Sequence, residues 1–187
     1  MSKIIEAIPP SVSSDDVDIW FQDETRVGQQ GSRTRIWAEK GTRPRVVKQQ
    51  QFLSQYIFGA INPSNGLCSA LILPFANTEC LELHLEEISK TVPSGRHAVL
   101  IMDCASWHKA TELKVPSNIS ILHLPPYSPE LNPQEGIWQY LKDTFLSNRV
   151  FKDIDDITNA CCHAWNALAD CPELIKSIGY RSWAVVL

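Results

Sequence analysis

The sequence lacks the marks of a membrane-bound or secreted protein. No apolar run approaches the roughly 20 residues that a membrane-spanning helix needs, and residues 1–10 lack the basic-then-apolar order of a signal peptide. A C-x-x-C pair is also missing, and the six cysteines are irregularly spaced, so neither a zinc site nor a disulfide framework is predicted. These absences together predict a cytoplasmic protein with free thiols and no membrane partner.

Positive charge is scarce as well. A net charge of −4 argues against a surface that binds nucleic acid in general. The basic residues are unevenly distributed, because seven of the 17 fall between positions 26 and 48. They are Arg26, Arg33, Arg35, Lys40, Arg43, Arg45 and Lys48. Two interpretations stay open for this segment: a solvated charged loop, or a local patch that faces DNA phosphates.

What the sequence does contain is the patterning of a mixed α/β domain. With 44% hydrophobic and 20% charged residues, the 187-residue chain has the composition of an ordinary globular domain. Apolar and polar residues alternate over 17–23, which predicts a half-buried strand with Trp20 on its outer face and Asp23 on its covered face. A carboxylate on that face is costly unless donors or a cation meet it.

Two further strands are predicted in the first half of the chain. Strand-like runs at 52–61 and 67–75 flank an Asn-Pro-Ser-Asn-Gly turn signal, so they complete a set of three antiparallel strands. Segment 24–50, which contains the basic residues, is predicted as a hairpin-like excursion with a short strand at 34–38.

The second half alternates helices with two buried strands. A helix capped by Asn77 or Thr78 precedes uninterrupted apolar runs at 98–102 and 119–124, which are typical of strands buried on both faces. A short helix around 106–113 is predicted to link these two strands.

A proline-rich loop at 125–133 then leads into a helix that begins at Asn132 and carries Glu135, and a last helix is predicted at 154–169. The predicted domain organisation is a flexible tail or linker stub at 1–16, one catalytic domain at 17–170 and a C-terminal tail at 171–187.

Three carboxylates fall where the pattern gives them no structural reason to be. Asp23 and Asp103 end predicted strands, and acidic residues at the ends of neighbouring strands can converge on Mg²⁺, which takes oxygen ligands. For either residue alone, a cap or a turn is the alternative. Glu135 also has an alternative, because Asn132, Pro133 and Glu135 have the spacing of a helical capping box.

His108 and Lys109 are weaker candidates for contacts with phosphate. His108 lies five residues after Asp103 and could instead cap its helix, and Lys109 could simply face solvent.

Three sequence blocks resemble a known family. They are FQDETRVGQQGSRTRIWAEKGTRP, MDCASWHKA and LPPYSPELNPQEGIWQYLK, and they are similar to the signature blocks of the DDE transposases of bacterial insertion sequences in the Tc/mariner superfamily. The resemblance spans roughly residues 17–170. It implies an RNase H-like α/β fold: a mixed five-stranded sheet, three antiparallel strands then two parallel, flanked by helices, with a basic hairpin insertion after the first strand.

The same resemblance implies a site and a reaction. Asp23, Asp103 and Glu135 would be the catalytic residues and the ligands of two Mg²⁺ (or Mn²⁺) ions. The implied activity is metal-dependent DNA strand cleavage at the ends of a mobile element, followed by strand transfer into target DNA.

The implied partners are element-end and target DNA, and a second copy of the chain, since two ends must be cut together. Residues 1–16 cannot hold the helix-turn-helix region of family members. A separately encoded helix-turn-helix portion from an upstream reading frame is therefore a further expected partner.

Two alternatives stay open. One is a stand-alone RNase H-like nuclease. The other is a truncated or repurposed relic that binds DNA or a partner transposase without catalysis.

Overall fold

The chain folds around a five-stranded mixed sheet. The computed structural model describes residues 2–31, 33–45, 47–105, 113–126 and 128–183. The strands are β1 (Val17–Gly28), β2 (Ser54–Ile61), β3 (Cys68–Leu73), β4 (His97–Met102) and β5 (Ile119–His123). Their spatial order is β3-β2-β1-β4-β5. The pairs β1/β2 and β2/β3 are antiparallel, whereas β1/β4 and β4/β5 are parallel, so the predicted RNase H-like sheet is confirmed.

Five α-helices surround this sheet in the described residues. They are α1 (Ser2–Ala7), α2 (Thr78–Thr91), α3 (Gln134–Leu141), α4 (Ile154–Ala169) and α5 (Pro172–Gly179). Helix α3 continues into a π-helical turn, Lys142–Leu146. The bounds of α4 and the Asn77 cap of α2 agree with the predictions. The short helix predicted around 106–113 falls almost wholly outside the described residues. No helix in the described ranges is long and apolar enough to span a bilayer.

Strand β1 is buried on both faces, so the prediction that Trp20 lies on an outer, exposed face is wrong. Successive side chains of a strand point to opposite faces, and α2 covers the face to which Trp20 belongs, leaving Trp20 fully buried. Helices α3 and α4 cover the opposite face, where Phe21 lies. Even Asp18 is buried, and Arg96 compensates it by donating from Nε and Nη2 to its two carboxylate oxygens at 2.7 and 2.8 Å.

The folded unit extends beyond the predicted 17–170 domain at both ends. Helix α1 lies in the segment predicted as a flexible tail, and its Ile4 is part of the hydrophobic core. Helix α5 lies in the predicted C-terminal tail, and its Ile175 is fully buried. Helix α1 packs on β5 and helix α5 packs on α3 and α4, so the apolar residues of both gain free energy from burial. The six cysteines are free.

A long excursion connects β1 to β2, and we call its residues 30–52 the arm. The arm is closed at its base by Gln29 and Leu53, because the Gln29 backbone N–H donates to Leu53 O at 3.0 Å and the Leu53 N–H donates to Gln29 Oε1 at 3.2 Å. Gln49 anchors it further by bonding both backbone groups of Phe151. Most described arm residues are exposed.

The short strand predicted at 34–38 is wrong: these residues form no strand. The physical reason lies in Asn148, which comes after the π-helical turn. Its side-chain amide accepts from Thr34 N at 3.4 Å and donates to Thr34 O at 3.1 Å. These are the backbone groups that a neighbouring strand would pair with, so a distant side chain has replaced the strand partner.

Candidate active site

Strands β1 and β4 bring Asp23 and Asp103 to the same edge of the sheet. The two strands are parallel, and Phe21 pairs with Ile101 at the end of their ladder. Asp23 and Asp103 each lie two residues beyond this pair. Because side-chain direction repeats every two residues in extended chain, both aspartates continue the face of Phe21 and Ile101.

Helix α3 adds Glu135 to this edge. Asn132 ties the start of the helix to β1, since its Nδ2 donates to the backbone carbonyl of Gln22 at 3.0 Å, next to Asp23. Glu135 then falls in the first turn of α3. The apolar residues Ile137, Trp138 and Leu141 of the same helix pack into the core and fix its rotation.

The three carboxylates line one cavity. Asp23, Asp103 and Glu135 surround a volume of about 490 Å³, whose remaining wall comes from Asn132, Ser128 and the segments 104–105 and 124–126. The proline loop therefore forms part of the cavity wall. The structure brings together the three acidic residues that the sequence pattern singled out.

The capping-box alternative for Glu135 does not describe the structure. Helix α3 begins at Gln134, so the predicted start is one to two residues early. Asn132 Oδ1 accepts from the Gln134 N–H at 3.1 Å, but among the described contacts the Asn132 N–H makes no bond to the Glu135 carboxylate. Proline geometry in the preceding turn sets the helix start, and the Glu135 side chain is left to face the cavity.

Asp23 is the least exposed of the three carboxylates. Sheet and helix atoms surround most of its carboxylate, and this burial raises the pKa of Asp23 to about 7. The negative charges of Glu24 and Glu135 raise the pKa further, whereas hydrogen bonds from the Trp138 indole and the Glu24 backbone N–H lower it. The indole bond, from Trp138 Nε1 to Asp23 Oδ2, is 2.9 Å long.

Asp103 is exposed, and its loop is held by neighbours on β5. Its Oδ1 accepts from the Ala105 N–H at 2.9 Å, and its backbone carbonyl accepts from His123 Nδ1 at 3.0 Å. Cys104 donates its thiol to Leu124 O at 3.1 Å. These bonds fix the backbone that carries Asp103 while leaving its side chain accessible from the cavity.

The donor set fits a hard divalent cation, since it consists of carboxylate oxygens. The three carboxylates line the same cavity but do not meet at a single ion position. Among the described residues, no group of three or more His, Cys, Asp or Glu side chains could hold one metal ion. Besides burial and the charge of Glu24, the charge of Glu135 raises the pKa of Asp23, because like charges repel.

The residues predicted to contact DNA are spread more widely over the structure than the three carboxylates. Arg26 lies at the exposed end of β1, where its Nε donates to Ser54 Oγ at 3.0 Å. The other six basic residues are exposed on the arm. Trp37, also on the arm, is fully exposed. His108 and Lys109 lie outside the described residues.

Sequence reasoning missed three residues that shape the site: Asn132 as the link to β1, His123 as the partner of the Asp103 backbone, and Trp138 as a donor to Asp23. Trp138 lies in the core and also donates to Asp23. Its position three residues after Glu135 places it about 60° round the helix from Glu135, and that proximity is the one sequence signal for a role at the site.

Comparison with curated proteins finds two informative relatives. The chain is 55% identical over 129 residues to the uncharacterized protein y4pE/y4sA of Sinorhizobium fredii, covering 69% of this chain and 96% of that protein. It is 26% identical over 134 residues to the uncharacterized 39 kDa protein of insertion element IS630 of Shigella sonnei, covering 70% of this chain but 39% of that protein.

Solved structures of the Mos1 transposase share the fold. A pre-cleavage Mos1 transpososome matches with a TM-score of 0.59 and 14% identity, over 88% of this chain and 56% of that chain. The Mos1 strand transfer complex matches with a TM-score of 0.56 and 15% identity, over 90% of this chain and 57% of that chain. The chain thus spans little more than half of these structural relatives.

A family model decides the classification. Residues 18–158 match the model described as DDE superfamily endonuclease, and this range contains β1 except for Val17, β2 to β5, α3 and all three cavity carboxylates. With the insertion-element relative and the Mos1 fold, the match confirms the resemblance to DDE transposases of the Tc/mariner type. The chain therefore belongs to the DDE superfamily endonucleases.

Proposed function

We propose that this chain is the catalytic domain of a transposase, which cuts DNA at the ends of a mobile element and joins the freed 3′ ends to target DNA. The observation that carries the proposal is the convergence of Asp23, Asp103 and Glu135 on one cavity, where the ladder between β1 and β4 ends. Membership of the DDE endonuclease family and the Mos1 fold support it.

The cavity residues would hold two divalent ions, Mg²⁺ or Mn²⁺. Asp103 would be the ligand that both ions share, because it is the exposed carboxylate at the end of β4, and Asp23 and Glu135 would supply the other carboxylate ligands. When bound, such ions polarise the phosphoryl group and stabilise the attacking and leaving oxygens. Mos1 complexes with Mg and with Mn are among the structures that share this fold.

The protein itself contributes position and charge. The Asn132 link to β1 sets the distance of Glu135 from the strand ends, and the His123 and Cys104 bonds keep Asp103 in place. In cleavage, a water oxygen attacks phosphorus and the P–O3′ bond breaks, which leaves a 3′ hydroxyl and a 5′ phosphate. In strand transfer, that 3′ hydroxyl takes the place of water. One set of carboxylates serves both steps.

Recognition of the element ends is a task that we assign to a different region. This chain covers 39% of the insertion-element relative, and its net charge is −4. We propose that a helix-turn-helix portion, encoded by an upstream reading frame, supplies sequence specificity. We also propose a homodimer, because two element ends must be cut and joined together.

The first prediction tests the activity. We expect the purified chain to nick a supercoiled plasmid and to join a labelled oligonucleotide with a free 3′ hydroxyl to it, at least about 100-fold faster in Mn²⁺ than in EDTA, because the carboxylates alone cannot offset charge on phosphate. Gel analysis of nicked and labelled plasmid measures both steps.

The outcomes of this experiment distinguish a transposase from a stand-alone nuclease and from a non-catalytic relic. Nicking together with joining supports a transposase. Nicking without joining would indicate a stand-alone nuclease, and neither reaction in Mn²⁺ would indicate a non-catalytic relic.

We propose that the arm is the main DNA-binding surface of this chain. Of its basic residues, Arg33, Arg35, Arg43 and Arg45 are all exposed, and the arm projects from the open end of β1, the strand that carries Asp23. Phosphate contacts by such residues release counterions and require no base recognition.

The second prediction follows from that proposal. Changing Arg33, Arg35, Arg43 and Arg45 to Ala should weaken duplex binding equally for element-end and random sequences. It should also reduce the slope of log K against log salt by as much as about 3 to 4, because fewer counterions are released when fewer phosphates are neutralised. Fluorescence anisotropy over a salt series measures both effects.

A matched control removes four positive charges elsewhere. Lys90, Lys114, Lys152 and Lys176 lie outside the arm, and their combined change to Ala should leave the salt slope within about one unit of wild type. Equal weakening in both variants would show that net charge, rather than the arm, governs binding. Discrimination of element ends by more than about tenfold, ~1.4 kcal/mol, would place specificity in this chain.

A further inference from the structure

The indole of Trp138 reaches the site from inside the core. Trp138 is 2% exposed, packs against Trp165 of α4 with ring centroids 6.0 Å apart, and directs its N–H to Asp23 Oδ2 at 2.9 Å. An indole has one donor and no acceptor. Here that single donor is used on a carboxylate of the cavity.

A glycine in β2 makes room for this indole. Gly59 is the residue that pairs with Asp23 across the β1/β2 ladder. A Cβ at Gly59 would come within 2.6 Å of Trp138 Cη2 and within 2.8 Å of Trp165 Cη2. Contacts below 3.0 Å require one group to move, and neither ring can move freely in a close-packed core. The absence of a side chain opposite Asp23 therefore permits the ring to lie under the carboxylate.

We infer that Trp138 is a positioning residue for Asp23: its N–H holds Oδ2 so that the other carboxylate oxygen is presented to a divalent cation in the cavity, with Gly59 admitting the ring. The inference rests on the proposed function, because it concerns how Asp23 serves as a ligand. Partners of this kind orient metal ligands, and their loss typically weakens metal affinity by about 10- to 100-fold.

The third prediction tests this role through metal binding rather than activity. Trp138→Phe removes the N–H and keeps most of the apolar ring. We expect it to weaken Mn²⁺ binding about tenfold or more, measured by electron paramagnetic resonance of free Mn²⁺ in titrations of the whole chain. Trp165→Phe is the matched control, since Trp165 lies against the same glycine, and it should bind Mn²⁺ within about twofold of wild type.

A second measurement needs only the wild-type chain. Adding Mg²⁺ should shift the indole N–H resonance of Trp138 in a ¹⁵N–¹H spectrum more than that of Trp165, because the carboxylate that accepts the Trp138 bond engages the cation through its other oxygen.

The outcomes distinguish this inference from the proposed function. Equal Mn²⁺ affinity in wild type and Trp138→Phe, equal weakening in Trp165→Phe, or an unmoved Trp138 resonance in a chain that binds Mg²⁺ would overturn the positioning role alone. A wild-type chain that binds neither ion would overturn the proposed function, and this inference with it.

Discussion

Asp103→Asn is expected to lower the rate of DNA cleavage by about 1,000-fold or more, equivalent to ~4 kcal/mol of transition-state stabilisation. Asp103 is the cavity carboxylate that we assign to both ions, and an amide has neither its charge nor its affinity for a hard cation. Glu135→Gln should have a similar effect for the same reason. Nicking of labelled duplex in Mn²⁺, followed over time, measures the decrease.

The fold of the Asp103 variant should be unaffected. Asp103 is exposed, and the Oδ1 of an asparagine can accept the Ala105 N–H as the carboxylate does. Its free energy of unfolding should therefore stay within about 0.5 kcal/mol of wild type. Glu130→Gln is the control, because Glu130 is an exposed acid in the proline loop outside the cavity lining, and it should cut DNA normally. Wild-type cleavage by Asp103→Asn would place the reaction elsewhere.

Asp23→Asn is expected to stabilise the chain in EDTA by as much as ~4 kcal/mol at pH 8. Burial raises the pKa of Asp23 from 3.8 to about 7 in the folded chain. Between these values the unfolded chain has lost a proton that the folded chain retains, so stability falls as pH rises from about 4 to about 7. Asparagine carries no charge and can still accept the Trp138 N–H, so the variant lacks this decline.

Urea unfolding at pH 4, 6 and 8 measures the effect. The difference between Asp23→Asn and wild type should be small at pH 4 and largest at pH 8. An equal advantage for Asp23→Asn at pH 4 and pH 8 would mean that packing, rather than the charge of Asp23, causes the difference.

Local sequence patterns predicted most of the secondary structure. The apolar runs of β4 and β5 and the helical periodicity of α4 are properties of short stretches, so they could be seen without knowing what packs on them. The turn between β2 and β3 was likewise recognisable from its Asn-Pro-Ser-Asn-Gly sequence. These residue types suit the geometry observed there, since Gly66 has φ +79° and Asn62 Oδ1 accepts the Ser64 N–H.

Patterns that depend on distant partners were interpreted wrongly or left open. Alternation in 17–23 indicated a half-exposed strand, but α2 buries its outer face at Trp20. The strand predicted at 34–38 does not form, because Asn148, 114 residues away, takes the backbone groups of Thr34. The sequence could not decide whether Glu135 caps its helix or faces the cavity, because the answer depends on the hydrogen bond from Asn132 to β1.

The sequence by itself determined which acids to consider, because strand ends and a specific motif mark Asp23, Asp103 and Glu135 within short stretches. Only the tertiary structure decided how those acids differ. Asp103 is exposed, whereas Asp23 is half-buried and accepts a hydrogen bond from an indole 115 residues away in sequence. Burial and hydrogen bonding are set by what the fold brings together from far along the chain, and these two factors determine the charge and orientation of a carboxylate.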